Sequence, residues 1–315
     1  AYEYACLLSL RDYLSGKTAG TVHIEISDAY HTACAAFAKA RQEGVSGNLI
    51  MAANAAVRVI TRLEPQLQFG NGALSLCIQT DAQGIAGDVR DVVCVRAANG
   101  WQIGISCKHN HHAVKHSRLS ATIDFGQEWL GIPCSKEYFD TVVPIFNELR
   151  AMRTRAVNEH RPLPLWSDIP DKSDRYYMPI LNAFLQEMHR LAESDPTVPG
   201  KLIGYMLGKY DFYKVITDDN KRTTRIEAIN LAGSLNKPAN GHRSIVDVAK
   251  LKLPTRFYHM GIVPHSDNKV EIVCDEGWTL SMRIHNASSK VEPSLKFDVQ
   301  LISLPANVHA QVEPW

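Results

Sequence analysis

The hydrophobic period of the chain changes near residue 70, and this change limits the possible folds more than any other feature. Before it, apolar side chains recur three and four positions apart in Ala-rich segments, which predicts helices at 2–13, 27–42 and 49–63. After Gly70-Asn71-Gly72, short apolar or β-branched runs between glycine-rich turns predict strands at 74–79, 91–96 and 101–108. The sequence therefore predicts helices that precede and flank a set of paired strands.

The remainder of the chain continues this mixture. Helical patterns recur at 120–130, 135–158 and 173–193, and strands are predicted at 211–217, 223–230, 255–260, 269–274, 278–285 and 295–301. The Pro-rich stretch 161–165 is the best domain boundary, although two closely packed lobes would give the same pattern. We expect an α+β fold. Residues 1–160 would form a helical part and a helix-flanked mixed sheet. Residues 161–315 would form a helical and largely β part that packs against this sheet, so that the two parts form one unit.

Composition limits the partners and the compartment. Lys and Arg number 34 against 33 Asp and Glu, a formal charge of +1, so a surface for nucleic acid must come from local segregation of charge. No apolar stretch approaches the roughly 20 residues that cross a bilayer, and no leader-like segment opens the sequence, which predicts a soluble, cytoplasmic protein. The seven cysteines form no CxxC pair, which fits a reducing compartment and argues against a cysteine-built zinc site.

A predicted hairpin brings together the first candidate catalytic residues. A turn centred on Ala98 and Asn99 places Asp91 opposite Ser106. Lys108 shares the face of Ser106 because side chains alternate along a strand. A carboxylate binds a hard divalent cation, and a lysine beside it orients or activates water next to a phosphate. The alternative is that Asp91 and Lys108 form an ordinary cross-strand ion pair at the surface.

Residues 109–118, which follow the hairpin, form a positive stretch on a nearly neutral protein. They include four histidines, two other cations and no acid, a composition typical of contact with a phosphate backbone. The candidate DNA contacts in this stretch are His109, Asn110, His111, Lys115, His116 and Arg118. One alternative is a solvated loop. Another is a zinc site, because His112 and His116 have the helical spacing of zinc ligands, with His109 and His111 nearby.

A second acid is needed because Ser106 cannot give a metal ion the charge of a carboxylate. Ser120 has the position of an N-cap for a helix over 121–130, on which Asp124 and Glu128 share one face. Glu64, at the end of the third predicted helix, is a further candidate, and ordinary helix solvation is the alternative for each of these acids. Glu128 is our first choice. Asp88 would replace Asp91 as the primary acid if the register of the hairpin were shifted.

The pattern of Asp91 followed by Ser106-Cys107-Lys108 resembles the PD-(D/E)xK nuclease core. It is similar to the members in which serine replaces the middle acid and a following helix supplies that acid instead. Longer strings along almost the whole chain resemble the HaeIII-type family of type II restriction endonucleases. They are Gly87-Asp88-Val89-Arg90-Asp91, Gly104-Ile105-Ser106-Cys107-Lys108-His109-Asn110-His111, Ala113-Val114-Lys115-His116-Ser117-Arg118-Leu119-Ser120, Arg283-Ile284-His285-Asn286-Ala287-Ser288 and Val291-Glu292-Pro293-Ser294-Leu295-Lys296-Phe297-Asp298, with Ala1-Tyr2-Glu3-Tyr4 and Lys209-Tyr210-Asp211-Phe212-Tyr213-Lys214-Val215.

This resemblance implies a nuclease core, a central mixed sheet flanked by helices, followed by a largely β DNA-recognition part. It also implies a Mg²⁺-dependent enzyme that cuts both strands of double-stranded DNA at a short palindrome, GGCC in the namesake, and leaves 5′-phosphate ends. Asp91 and Glu128 would hold Mg²⁺, with Asp88, Asp124 and Glu64 as alternative ligands, while Lys108, near Ser106, would position or deprotonate the attacking water. A homodimer that matches the palindrome, a monomer that nicks twice, and a companion DNA methyltransferase are compatible with this reading.

Recognition of a GC-rich site in the major groove needs paired donors for guanine and acceptors for cytosine. Polar residues of the second half suit this task, and for each of them a phosphate contact or a plain surface position is the alternative. They are Asn236, Lys237, Arg243, Arg283, His285, Asn286 and Lys296. Two other functions stay open: a non-catalytic sequence-specific DNA-binding protein, which would not need both Asp91 and Lys108, and a zinc-dependent hydrolase that uses the histidines of 109–116.

Overall fold

The computed structural model describes residues 1–80, 87–110 and 113–315, which form two compact units. The first unit consists of Ala1–His112, Gly208–Lys252 and Ala306–Trp315, and the second of Ala113–Leu207 and Leu253–Pro305. Each unit combines stretches from both halves of the chain, so the units do not follow the expected division at residue 160. The predicted α+β class is confirmed, with a mixed sheet in the first unit and an antiparallel sheet in the second.

In the described part of the first unit, four helices flank the sheet: α1 (Tyr2–Leu14), α2 (Asp28–Gln42), α3 (Ser46–Leu63) and the short α4 (Pro65–Phe69). The Ser27 hydroxyl accepts the N–H of Tyr30 and so caps α2. Pro65 begins α4 at a position where its missing N–H removes no helical hydrogen bond. The apolar stripe of α3 is buried along most of its length, which confirms the helical period predicted there.

The sheet of the first unit has seven strands in the described residues. Numbered along the chain, they are β1 (Val22–Ile24), β2 (Leu74–Ile78), β3 (Val92–Arg96), β4 (Trp101–His109), β7 (Phe212–Asp218), β8 (Thr223–Ile229) and β13 (Ala310–Pro314). Their order is β1-β2-β3-β4-β7-β8-β13; the pairs β1/β2 and β4/β7 are parallel, and the others are antiparallel. The parallel pair β4/β7 brings the second half of the chain beside the predicted hairpin.

The core of the first unit combines side chains of helices α1 and α3 with side chains of the sheet. Its members include Leu7, Leu10, Val57, Ile60, Leu76, Cys94, Ile103 and Val215, all of them buried. Full burial of one large apolar side chain is worth about 1.5–3 kcal/mol. Because α1 contacts β4 and contributes several such side chains, its first turn has a fixed position at the sheet.

A buried arginine joins α4 to the loop that follows it in the first unit. Arg96 is wholly inaccessible and donates to the carbonyl oxygens of Gln66, Leu67 and Gly72, at 2.6, 2.8 and 2.6 Å. Gly70 passes so close that an added Cβ would lie 2.5 Å from the Arg96 Cδ. The guanidinium therefore satisfies backbone acceptors that would otherwise be buried without a partner.

The second unit has six strands and three α-helices in its described residues. The strands are β5 (Ala113–Lys115), β6 (Arg118–Ser120), β9 (Phe257–Ile262), β10 (Lys269–Cys274), β11 (Thr279–His285) and β12 (Ser294–Ser303). The helices are α5 (Lys136–Asn158), α6 (Met178–Ser194) and α7 (Val198–Leu207). The order of the antiparallel sheet is β5-β12-β11-β10-β9, and β6 also pairs with β12.

Each long strand of this second sheet has one apolar and one polar face. Along β12, Leu295, Phe297 and Val299 are buried, whereas the alternating Lys296 and Asp298 reach solvent. The same alternation on β11 buries Leu280, Met282 and Ile284. This is the pattern of an antiparallel sheet that covers a core with one face and leaves the other face to solvent.

The predicted helix over 120–130 is wrong. Ser120 ends β6, and only Gly126–Leu130 forms a short π-helical turn. The Ser120 hydroxyl accepts the N–H groups of Thr122 and Ile123, so the expected capping bonds exist but close a turn instead of starting a helix. The prediction at 173–193 is confirmed from residue 178, where α6 begins after a π-helical turn.

Among the described residues, four short strands and two helices were not predicted: β1, β5, β6, β13, α4 and α7. Apart from the helix expected at 120–130, the predicted strands and helices are present, within a few residues of their expected ends. Within the described ranges, none of the helices combines the length and the apolar character that crossing a membrane requires.

We predict that Arg96→Met destabilises the fold strongly, because several buried carbonyl oxygens would lose their donor. The free energy of unfolding should fall by about 3 kcal/mol or more, measured by urea denaturation. Arg58→Met, on the exposed side of α3, is the matched control and should change stability by less than about 0.5 kcal/mol. Equal effects of the two substitutions would contradict the structural role of Arg96.

Candidate active site

The hairpin of β3 and β4 has the predicted register. Val92 pairs with Ile105 and Arg96 with Trp101, and the Asp91 N–H donates to the Ile105 carbonyl at 2.8 Å. The turn closes through Gly100, whose φ of +67° favours glycine. The same register places Asp91 opposite Ser106, at the end of the hairpin away from this turn.

Asp91 and Lys108 meet at that end. The Asp91 Oδ2 atom accepts the Cys107 N–H at 2.6 Å and lies 3.5 Å from the Lys108 Nζ. Burial raises the pKa of the Asp91 carboxyl above its usual value, although the Lys108 ammonium and the Cys107 N–H oppose this shift. The nearby Glu3 carboxylate raises the pKa of Asp91 further. The protein therefore holds a carboxylate in surroundings that disfavour its charged form.

Asp88 has other partners. The Arg90 guanidinium donates to both of its carboxylate oxygens, at 2.8 and 2.7 Å, and Gln79 donates at 3.1 Å. Arg90 passes over Gly104, where an added Cβ would lie 1.9 Å from the Arg90 Cδ. Because the register is not shifted, Asp91 is the acid beside Lys108. The alternative that Asp88 is a metal ligand stays a prediction.

A third acid, Glu3, was not found from the sequence patterns. It lies in the first turn of α1 and lines the same cavity as Asp91, a cavity of about 310 Å³ that Asp28, Gln79 and Thr80 also border. No local spacing reveals this neighbour, because it depends on how α1 packs against the sheet. The sequence signals for it are its position on a predicted helix and its place in the family-like string Ala1-Tyr2-Glu3-Tyr4.

The three acids proposed as second ligands lie elsewhere. Glu64 is wholly buried, accepts the Tyr213 hydroxyl and the Asn236 N–H at 2.7 Å each, and burial raises its pKa to about 8. Asp124 and Glu128 belong to the second unit, where Glu128 is exposed. Asp124 is partly buried, yet the N–H groups of Gln127 and Cys134 hold its pKa below the usual value. Within the described part of the first unit, Glu64 does not border the cavity that Asp91 lines, and the ligand roles of all three acids stay predictions.

A further lysine that the sequence analysis missed lies beside Ser106. Ser106 is buried and pairs in register with Lys214 on β7, which in turn pairs with Glu227 on β8. Burial lowers the pKa of the Lys214 ammonium to about 8, although the Glu227 carboxylate opposes this shift. The row Asp91, Ser106, Lys214, Glu227 therefore crosses four strands on one face of the sheet.

The positive stretch 109–118 is divided between the two units. His109 lies 2.7 Å from the Asp219 carboxylate, and Asn110 exchanges hydrogen bonds with the same residue. His111 and His112 lie outside the described residues. His116 lies 3.4 Å from Asp298. Among the residues that the structure describes, no group of three or more His, Cys, Asp or Glu side chains is arranged to hold a metal ion.

Several predicted DNA contacts have polar partners inside the protein. Lys115 donates to the Tyr205 carbonyl and lies 3.3 Å from that ring centre, and burial lowers its pKa to about 8. The Asn236 amide donates to the carbonyls of Leu63 and Val246. The Asn286 amide donates to the carbonyls of Ser288 and Lys290 within its own loop. These bonds shape loops and strand ends, and the DNA contacts of the three residues stay predictions.

The remaining predicted contacts lie at surfaces. Lys237 borders a cavity of about 430 Å³ in the first unit, together with Arg90 and Tyr210, and Arg243 is exposed. In the second unit, strand pairing aligns Arg118, Lys296 and His285 across three strands. Arg283 pairs with Asp298 in the neighbouring row. Residues that are far apart in the sequence are thus brought together on the solvent-facing side of one sheet.

The helix-flanked mixed sheet is consistent with a nuclease core of the PD-(D/E)xK class, and Ser106-Cys107-Lys108 lies on a strand of this sheet whose antiparallel neighbour begins next to Asp91. The model of the HaeIII restriction endonuclease family matches residues 1–305, and the chain therefore belongs to that family. It is similar to the Type II restriction enzyme HaeIII of Haemophilus aegyptius, with 42% identity over 262 residues that cover 83% of this chain and 80% of that protein. No solved structure shows a match.

Family membership establishes the chain as a type II restriction endonuclease, an enzyme that cleaves double-stranded DNA at a specific site. The alternative of a non-catalytic DNA-binding protein is thereby excluded.

We predict that Asp91→Asn stabilises the metal-free protein while it abolishes cleavage. An acid whose pKa is higher in the folded than in the unfolded chain loses its contribution to stability as the pH rises through the folded-state pKa. In EDTA at neutral pH the variant should therefore have the higher Tm. The difference should shrink as the pH falls below that raised pKa.

Differential scanning calorimetry over a pH series would measure this effect. Asp247→Asn, which changes an exposed acid of the same unit, is the control and should leave the Tm unchanged at every pH. A lower Tm for Asp91→Asn than for the unmodified protein at neutral pH would show that the carboxylate is not destabilised by its surroundings.

Proposed function

We propose that the protein hydrolyses one phosphodiester bond in each DNA strand at a short palindrome, GGCC, in a Mg²⁺-dependent reaction that leaves 5′-phosphate and 3′-hydroxyl ends. The observation that carries this proposal is the contact of Asp91 with the Cys107 N–H and the Lys108 ammonium, next to a cavity that Glu3 also lines. The target sequence follows from the resemblance to the HaeIII-type family.

The donor set fits Mg²⁺. Asp91 and Glu3 offer carboxylate oxygens, the ligands that Mg²⁺ prefers, and the cavity is also bordered by the oxygen-bearing side chains of Asp28, Gln79 and Thr80. Burial raises the pKa of Asp91, and the charge of the Glu3 carboxylate raises it further, because the two carboxylates beside this cavity repel each other. A divalent cation bound between them would remove this repulsion. Asp91 and Glu3 would hold the ion, with Glu128 as the alternative second ligand.

When bound, Mg²⁺ supplies a Lewis acid that neutralises charge on the phosphoryl oxygens and acidifies water. The Lys108 ammonium, held 3.5 Å from Asp91, orients the attacking water and balances the negative charge of the phosphate. A bond forms between the water oxygen and phosphorus, the bond from phosphorus to the 3′ oxygen breaks, and the proton that the water releases to solvent is balanced by the one that the 3′ oxygen takes up from solvent. Because the Ser106 side chain carries no charge, both acidic ligands must be other residues. They would be Asp91 and a second acid from another element.

The DNA contacts are assigned by charge and exposure. In the first unit, His109 and Asn110, which follow Lys108, and Lys237 and Arg243 would contact the DNA backbone; His111, outside the described residues, stays a predicted contact. In the second unit, the aligned cations Arg118, Lys296 and His285 form a surface that suits a phosphate backbone. A palindromic target suits a homodimer with matching two-fold symmetry. A companion DNA methyltransferase and a cytoplasmic location complete the proposal.

The proposal is tested by digestion of a plasmid of known sequence with Mg²⁺, with Zn²⁺ or with EDTA, followed by sequencing of the fragment ends. We expect discrete fragments with Mg²⁺ alone, ends within GGCC and phosphates at the 5′ termini. Lys108→Ala should bind the same site without cutting it. Cleavage with Zn²⁺ and not Mg²⁺ would favour a zinc-dependent hydrolase, and ends at another sequence would refute the target.

The second metal ligand is tested with Glu3→Gln and the matched variant Glu128→Gln. We expect Glu3→Gln to weaken Mg²⁺ binding by at least roughly 10-fold, the loss typical of removing even an outer-shell partner. Titration calorimetry with Mg²⁺, and with Mn²⁺ followed by electron paramagnetic resonance, gives a readout independent of cleavage. If Glu128→Gln has this effect and Glu3→Gln has none, Glu128 is the ligand and the assignment of Glu3 is wrong.

A further inference from the structure

The solvent-facing side of the second unit's sheet carries two adjacent rows of charged side chains. Arg118, Lys296 and His285 form the first row through the pairing of β6, β12 and β11. In the second row, the pairing of β12, β11 and β10 aligns Asp298, Arg283 and Lys269. His116, 3.4 Å from Asp298, extends the second row. Apart from the histidines, the two rows contain four cations and one carboxylate.

The size of this patch suits the major groove of DNA. Neighbouring strands are about 4.8 Å apart, so a row over three strands spans about 10 Å, and rows two residues apart along a strand are separated by about 7 Å. The major groove is about 12 Å wide. The next row along the sheet, Gln300, Ser281 and Glu271, is polar as well, so no apolar side chain interrupts these three rows.

Arg283 differs from the other cations of the patch because a carboxylate on the next strand holds it. Its Nη2 atom lies 3.3 Å from Asp298 Oδ2, while Asp298 Oδ1 faces His116. The Asp298 side chain is only 17% exposed, whereas the Arg283 side chain is 47% exposed. One guanidinium nitrogen is thus held by a carboxylate of the sheet, while about half of the Arg283 side chain is exposed.

A guanidinium fixed in this way suits a base and not only a phosphate. Reading guanine requires two parallel donors aimed at the O6 and N7 atoms, and an arginine held in advance loses less conformational freedom when it makes them. Lys296 and Lys269 present an ammonium, which acts as a point charge and suits phosphate contacts.

We propose that Arg283 reads a guanine of the target in the major groove and that Asp298 is its positioning residue. The proposal rests on the proposed function, since it requires a site that contains guanine. Arg118, Lys296 and Lys269 bind phosphates on either side of the groove and fix the orientation of the sheet on the duplex.

The test changes one hydrogen-bonding group at a time, first in the DNA and then in the protein. Duplexes carrying the cleavage site found by plasmid digestion receive 7-deazaguanine, which lacks the N7 acceptor, at one guanine at a time. Binding is measured in EDTA by fluorescence anisotropy. For one guanine the unmodified protein should bind roughly 10-fold more weakly to the modified duplex.

In Arg283→Gln this 10-fold penalty should disappear, so that modified and normal duplexes bind equally. Lys269→Gln, which changes the neighbouring cation of the same row, should keep the penalty, weaken binding to all duplexes alike and reduce the salt dependence of binding. Asp298→Asn should shrink the penalty, and because it removes a negative charge from the patch it should not weaken binding to an unrelated duplex. Both residues of the pair lie at the sheet surface, and unchanged Tm values would confirm that the variants fold.

Retention of the full penalty in Arg283→Gln would overturn the proposal, as would the absence of a penalty at every guanine in the unmodified protein. An equal loss of affinity for target and unrelated duplexes in Arg283→Gln would make Arg283 a phosphate contact. These failures leave site-specific cleavage intact. The absence of cleavage or of guanine at the cut site would instead refute the proposed function itself.

Discussion

The hydrogen bond from the Cys107 N–H to the Asp91 carboxylate fixes the geometry on which the candidate site depends. It lies where the β3/β4 ladder ends, so the carboxylate takes the place of the next backbone acceptor. The same strand then presents Lys108, and α1 brings Glu3 to the adjoining cavity. Asp91 and Lys108 are therefore positioned by one strand end, and Glu3 by the packing of α1.

This arrangement has an energetic cost that the fold must offset. Burial and a neighbouring carboxylate both disfavour the charged form of Asp91, and Lys108 compensates only in part. The large apolar contact of α1 and α3 with the sheet supplies the stability that keeps these groups together. Sites that bind cations commonly combine a stable core with locally unfavourable electrostatics, because the cation itself completes the charge balance.

Much of this site could be predicted from the sequence, and the reason is local. The Asn-Gly turn and the alternation of side chains set the hairpin register, which fixes Asp91, Ser106 and Lys108 relative to one another. Glu3 and Lys214 could not be predicted in the same way. Their positions depend on the packing of α1 and on the parallel pairing of β4 with β7, and no short-range pattern encodes either contact.

The residues around 120–130 show a different limit. Ser120 and Asp124 have the chemistry of helix caps and do accept backbone N–H groups, but they close turns there, because the same side chains serve both structures. Asn236 and Asn286 show that polarity alone does not indicate a DNA contact, since both amides bind carbonyl groups of the protein. Pairing in the second sheet, in contrast, aligned sequence-distant cations that no linear motif connects.

The contact between Arg90 and Gly104 has a consequence for how the chain selects its strand pairing during folding. Only a residue without a side chain leaves room for the Arg90 stem, and the neighbours two positions away on β4 are Gln102 and Ser106, both of which carry one. A hairpin slipped by two residues would keep its apolar residues on the same face, so hydrophobic burial alone would tolerate it. The steric requirement at Gly104 removes that competing alignment, and with it the states in which Asp91 would lie opposite the wrong residue.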